Sequence, residues 1–167
     1  MRFTVLLLRT VCFMTPLMSQ VQADSGVLDS RVMTLGLASQ VATAAVKSCA
    51  GSGYQVSAVV VDRSGAVQVV MRDVFASRFT IEIAERKANA VILSGISTSE
   101  FRKNRADIRA EMNEVDGIMV LDGAVPIRAA GSLLGAVGVS GAPGGEKDEA
   151  CARAGLESVQ EQLEFIE

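Results

Sequence analysis

Histidine is absent from the 167-residue chain, and with it go the usual general base near neutral pH and the commonest metal ligand. Chemistry must therefore come from carboxylates, Lys, Tyr or a bound cofactor. Aromatic residues are scarce at 4% although 49% of the chain is hydrophobic, so the core is expected to be built from Ala, Val, Ile, Leu and Met, packed closely. Positive charge is not in excess. A formal net charge of -3 leaves no broad basic field for phosphate backbones, which sets nucleic acid aside as a partner, and no polybasic membrane patch is visible. The three cysteines include no CxxC pair and have no histidine beside them, which argues against a zinc site and a Cys-His nucleophile.

An uncharged apolar run of the roughly 20 residues that a membrane span requires is also missing. Residues 1–23 carry a shorter pattern: Arg2 at the start, apolar stretches from Val5 to Leu8 and Val11 to Met18 interrupted by Arg9, and Val21-Gln22-Ala23 at the end. This predicts a signal peptide cleaved after Ala23, a periplasmic or secreted protein with no stable membrane insertion after cleavage, and a single domain over 24–167. That length suits one hydrophobic core. Cys12 would leave with the signal, and the remaining Cys49 and Cys151 either form a disulfide in an oxidising compartment or rest as two buried thiols.

Residues Leu28 to Ala50 place apolar or small side chains at helical spacing (Val32, Leu35, Ala38, Ala42, Ala45, Cys49), with Asp29 or Ser30 as the expected N-cap and Gly51 as the stop. Tyr54 to Asp62 and Ala66 to Arg72 read as a strand hairpin turned by Arg63-Ser64-Gly65, with Gly65 needing positive φ. Thr80 to Leu93 returns to helical spacing and Gly95 ends it. Ser97-Thr98-Ser99-Glu100 has the form of a capping box opening a third helix toward Met112. Three short strands are expected at Ile118–Leu121, Val125–Ala129 and Leu133–Val139, separated by Asp122-Gly123 and Ala130-Gly131. A last helix runs from Glu146 to Phe165. This order does not alternate as a parallel α/β sheet would. It predicts an α+β fold, α-β-β-α-α-β-β-β-α, with a five-stranded antiparallel sheet flanked by helices, profilin- or roadblock-like.

Several residues are candidates for binding. The segment Ser140 to Gly145 precedes a helix, and glycines there, Gly144 and Gly145 above all, let backbone N–H groups approach an anion; the competing reading is a structural turn whose helix end is already answered by Glu146, Asp148 and Glu149. Arg72 and Lys87 stand beside apolar walls and could hold acidic groups of a ligand, or could lie on ordinary solvated faces. Asp62 with Gly65 is what a tight hairpin uses anyway. Met71, Met112 and Met119 offer thioether sulfur, though methionine more commonly fills a core.

Taken in order, Asp62-Arg63-Ser64-Gly65-Ala66-Val67, Arg72-Asp73, Ile83-Ala84-Glu85-Arg86-Lys87-Ala88, Gly123-Ala124-Val125-Pro126-Ile127, and Leu134 to Gly141 with Gly144 to Glu149 resemble the GlcG/HbpS family, related to the corrinoid-associated PduO C-terminal domain. The resemblance spans about Leu35 to Phe165. It departs at Ala124, where a second Gly is usual. It implies a five-stranded sheet flanked by helices, self-association into homo-oligomers, and in some members haem binding outside the cytoplasm. The leading expectation is therefore an exported protein that binds haem or a related tetrapyrrole, with Arg72 and Lys87 on the propionates. The alternative is a periplasmic accessory or sensory interaction module without catalytic activity. An enzyme is the least favoured of the three, since no nucleophile and base are paired.

Overall fold

In a computed structural model of the chain, the structure describes Gly26 and residues 30–165. The expected signal segment, its cleavage point and the candidate cap Asp29 lie outside the described residues. The first helix, α1, runs Leu35–Gly51 and is capped by Thr34, whose hydroxyl accepts from the Leu37 amide at 3.3 Å. Residues 30–34 are not helical, so the helix starts later than its spacing suggested. Val32, which carried the apolar spacing past the true start, is 74% exposed and not helical.

Strands β1 (Ser57–Asp62) and β2 (Val67–Arg72) form the expected hairpin. Gly65 sits at φ 88°, a region costly for residues with a Cβ. Helix α2 (Phe79–Ser94) ends on left-handed Gly95. The third helix is interrupted: α3 covers Thr98–Asn104 and α4 covers Arg109–Asn113. Strands β3 (Ala124–Ala129) and β4 (Ser132–Ser140) make a second hairpin, and the last helical stretch divides into α5 (Gly145–Glu157) and α6 (Gln160–Glu164).

The sheet has four strands in the order β2-β1-β4-β3, all antiparallel. The fifth strand expected at Ile118–Leu121 does not form. Its amides are satisfied otherwise: Met119 donates to the Arg86 carbonyl (3.0 Å), Val120 to Asn113 Oδ1 (2.8 Å) and Leu121 to the Met119 carbonyl (3.0 Å). A segment whose donors are met by a helix carbonyl and a side chain has no need of a ladder.

The central strand β1 is buried on both faces, which explains its unbroken Ala-Val run. On one face α1 and α5 cover a core of Ala, Val, Ile and Leu that includes Ala42, Ala45, Val60, Val137 and Leu163. There Cys49 and Cys151 are joined in a disulfide with Cα atoms 5.5 Å apart, linking α1 to α5. On the other face α2 lies against β1 and β4 through Val59, Val61, Ala84, Ala88 and Ala136. The approach is close because Gly138 has no side chain; a Cβ there would meet the Ala84 carbonyl oxygen at 2.0 Å.

Candidate functional site

Lys87 leaves the middle of α2 toward the start of α5 and is 1% exposed. Its ammonium donates to Asp148 Oδ2 at 2.8 Å and to the Val139 carbonyl at 3.0 Å. The other oxygen of Asp148 accepts from the Ala142 amide at 2.9 Å. Burial pushes the Asp148 carboxyl above its ordinary value, and the Lys87 charge opposes that rise. The cation expected to meet a ligand is therefore spent inside the protein, fastening α2 to the turn that opens α5.

Gly144 and Gly145 belong to the same cluster. Gly144, at φ 135°, is the N-cap of α5, and a Cβ on it would run into the Glu146 carboxylate. A Cβ on Gly145 would meet the Asp122 carbonyl at 2.5 Å. Asp148 and Glu149 are buried on the first turns of this helix, and Glu149 accepts from the Ser99 amide (3.2 Å) and hydroxyl (2.7 Å). The partial positive charge of the helix end is met by the protein's own carboxylates, which favours the structural reading of this turn.

Arg72 is apart from that cluster, on the edge strand β2, where it pairs in register with Ser57 and, through β1, with Ser140. Its guanidinium donates to the carbonyls of Asp73 (3.1 Å), Val74 (3.3 Å) and Ala76 and so braces the loop before α2. The Asp62 loop is likewise self-contained. Asp62 Oδ1 accepts from the Ser64 hydroxyl (2.6 Å), the Ser64 amide (2.7 Å) and the Ala66 amide (3.1 Å), and the Ser64 hydroxyl above all holds this carboxyl below its usual range. Met71 packs against the α1–α5 core.

A groove of about 430 Å³ lies elsewhere, lined by Arg86 of α2, Arg102 of α3, Arg109 and Asn113 of α4, and the extended residues 118–121. Arg86 pairs with Glu82 at 2.7 Å and Arg102 with Asp122 at 2.9 Å. Arg109 is exposed and has no ion pair or hydrogen-bonded side-chain partner among the described residues. A second recess of about 250 Å³ shares Arg102 and Arg109 and adds Ser99, Lys103 and Asp122. Guanidinium groups beside Ile118, Met119 and Leu121 give a surface that is cationic on one side and apolar on the other, suited to a ligand with acidic groups on a hydrophobic body. Sequence reasoning did not reach this site, because its arginines are dispersed over three helices and its apolar wall reads as a strand. The signals present were Arg86 within the Ile83 to Ala88 motif and Met119, considered alone as a sulfur donor.

The model of one protein family, described as haem-degrading HbpS-like proteins, matches residues 33–157. The chain belongs to this family. Among solved structures, a double mutant of HbpS from Streptomyces reticuli is 34% identical to the HbpS-like chain, with a TM-score of 0.75 over 85% of this chain and 97% of that one. The Klebsiella pneumoniae protein ORFY, at 23% identity and a TM-score of 0.76, covers 87% of this chain and 100% of its own. A PduOC–haem complex, at 22% identity and a TM-score of 0.68, covers 77% of this chain and 95% of its own. These last two show a shared HbpS-like fold. No curated protein matches the chain significantly.

Proposed function

We propose that the protein is an exported module that binds haem or a related tetrapyrrole. The observation that carries this reading is membership of the HbpS-like family over residues 33–157, with 34% identity to an HbpS structure. The donor set agrees with it. A tetrapyrrole is a flat apolar disc with acidic side chains, and the groove formed by Arg86, Arg102, Arg109 and residues 118–121 offers guanidinium donors beside an apolar wall. With no histidine in the chain, iron would be ligated by sulfur, oxygen, Lys or solvent. Bound haem would supply an iron centre open to redox and oxygen chemistry.

Export is part of the same proposal. It rests on Arg2, the apolar stretches and Val21-Gln22-Ala23, and the Cys49–Cys151 disulfide suits an oxidising compartment. N-terminal sequencing of secreted material should begin at Asp24, whereas an intact Met1 on soluble cytoplasmic protein would overturn it. For the ligand, titration of haem into the mature chain should give a saturable absorbance change without a low-spin bis-imidazole spectrum. No saturable change up to high micromolar haem would eliminate this function.

A second reading, a periplasmic accessory or sensory module acting through self-association or a protein partner, is favoured by the loop that Arg72 braces. Val74 is 74% and Phe75 84% exposed there, and large apolar side chains exposed side by side commonly mark a contact surface. Sedimentation of the mature chain should report a dimer or larger assembly. A monomer at high micromolar concentration would remove self-association.

A further inference from the structure

The cations of the fold divide sharply by what they already hold. Lys87 is buried on Asp148, Arg72 is turned onto loop carbonyls, and Arg128 donates to the Gly95 carbonyl. In the recess of about 350 Å³ between α2 and α4, the lining cation Arg105 is paired with Asp107. A recess of about 390 Å³ on α1 carries a single cation, Lys47, and one of about 280 Å³ beside Gly65 carries an acid, Asp116, and no cation. The groove that residues 118–121 line together with Arg86, Arg102 and Arg109 is different. Its lining includes three arginines and no acidic residue, in a chain whose net charge is -3.

Three further features make it a recognition surface rather than a solvated basic face. Arg86 and Arg102 are paired with Glu82 and Asp122, so less side-chain freedom remains to be lost when they engage an anion. Arg109 lines the same groove without such a partner among the described residues. The apolar wall is fixed in place by the Met119 and Val120 amide hydrogen bonds to Arg86 and Asn113, and Leu121 on it remains 40% exposed. Lastly, the adjoining recess shares Arg102 and Arg109 and adds Lys103 beside Asp122, the carboxylate that already holds Arg102, which leaves Arg109 and Lys103 as the cations next to the groove for a second acidic group.

We infer that this groove is the carboxylate-recognition end of the ligand site: Arg109, with Arg86 and Arg102, selects flat apolar ligands bearing two free carboxylates, whatever metal their centre carries. The ligand class rests on the tetrapyrrole reading above, while the location and the selection rule rest on the groove itself. Planar guanidinium forks match carboxylates in a way that an ester cannot reproduce, because esterification removes both the charge and one acceptor geometry. Since the arginines address the edge of the ligand, iron is not required for binding.

The test uses the mature chain and three probes in the same detergent buffer: haem, iron-free protoporphyrin IX and its dimethyl ester, followed by porphyrin absorbance and fluorescence. Arg109→Ala and the double variant Arg86→Ala/Arg109→Ala should weaken haem and protoporphyrin alike, on the order of 10- to 100-fold, and should not weaken the ester. Lys47→Ala, on the remote α1 recess, should change none of them. Equal affinity of haem for the wild type and the double variant would overturn this location while leaving tetrapyrrole binding intact. An ester bound as tightly as the free acid would overturn the selection rule. Binding of protoporphyrin without haem, still weakened by Arg109→Ala, would uphold the groove and refute haem as the ligand. Failure of the wild type to bind either acid would refute both readings together.

Discussion

Arg86 and Lys87 are consecutive residues of α2, and the protein uses them in opposite ways. Lys87 is sealed between the helix, β4 and α5, with Asp148 and the Val139 carbonyl as its partners. Arg86 lines the groove with its side chain over one third exposed and its charge steadied by Glu82. A step of one residue, a rotation of about 100° around the helix, thus separates a fastening inside the fold from a cation available to a ligand. A charged residue beside apolar ones is an ambiguous signal, and only the three-dimensional location of the nearest carboxylate resolves it.

Breaking the buried side of this comparison should have the largest effect. Lys87→Met leaves Asp148 charged and uncompensated in the interior, which should cost about 3–5 kcal/mol in urea unfolding; a loss below about 1 kcal/mol would mean the pair is not buried as described. The pH dependence has a definite sign. The Asp148 carboxyl lies above its ordinary value of 3.8, chiefly through burial, with Lys87 opposing the rise. A carboxyl raised in the fold favours folding in its protonated form, an effect fully present below the unfolded value and lost as pH rises through the folded one. Without Lys87 the carboxyl should move higher still. The deficit of Lys87→Met should therefore be greatest near neutral pH and shrink toward acid pH, and a deficit that grew on acidification would refute this account.

The opposite face of the sheet offers the next effect. The disulfide between Cys49 and Cys151 closes a loop with a sequence separation of 102 residues, and its removal in Cys49→Ala/Cys151→Ala should cost about 2–5 kcal/mol. Alkylation of unfolded protein from its native compartment, without reductant, should label neither cysteine; labelling of both would show free thiols. The smallest effect sharpens the comparison from the open side. Arg109→Ala should shift unfolding stability by no more than about 0.5 kcal/mol, since Arg109 holds no carboxylate or carbonyl among the described residues. A large loss there would make Arg109 a structural residue like Lys87.

What could be read from residues alone was mostly local. The β1–β2 hairpin, its turn at positive-φ Gly65 and the end of α2 at Gly95 follow from chemistry within a few residues. The start of α1 was misplaced because Val32 fits the helical spacing yet stands exposed ahead of the Thr34 cap. Ile118–Leu121 has the composition of a strand, but its amides find Asn113 and the Arg86 carbonyl before they find a neighbouring strand. The site was least legible. Lys87 looked available since Asp148 lies 61 residues away, and the groove was hidden because Arg86, Arg102 and Arg109 converge only through the packing of α2, α3 and α4.

Native mass spectrometry of the mature protein, purified from its own compartment and then loaded with haem, addresses the central claim most directly, since it reports bound ligand and subunit count from one sample. The expected result is a chain starting at Asp24 that carries a tetrapyrrole mass, either as isolated or after loading, with the adduct depleted in Arg86→Ala/Arg109→Ala. A spectrum of intact, folded protein that shows no tetrapyrrole adduct under either condition would contradict it.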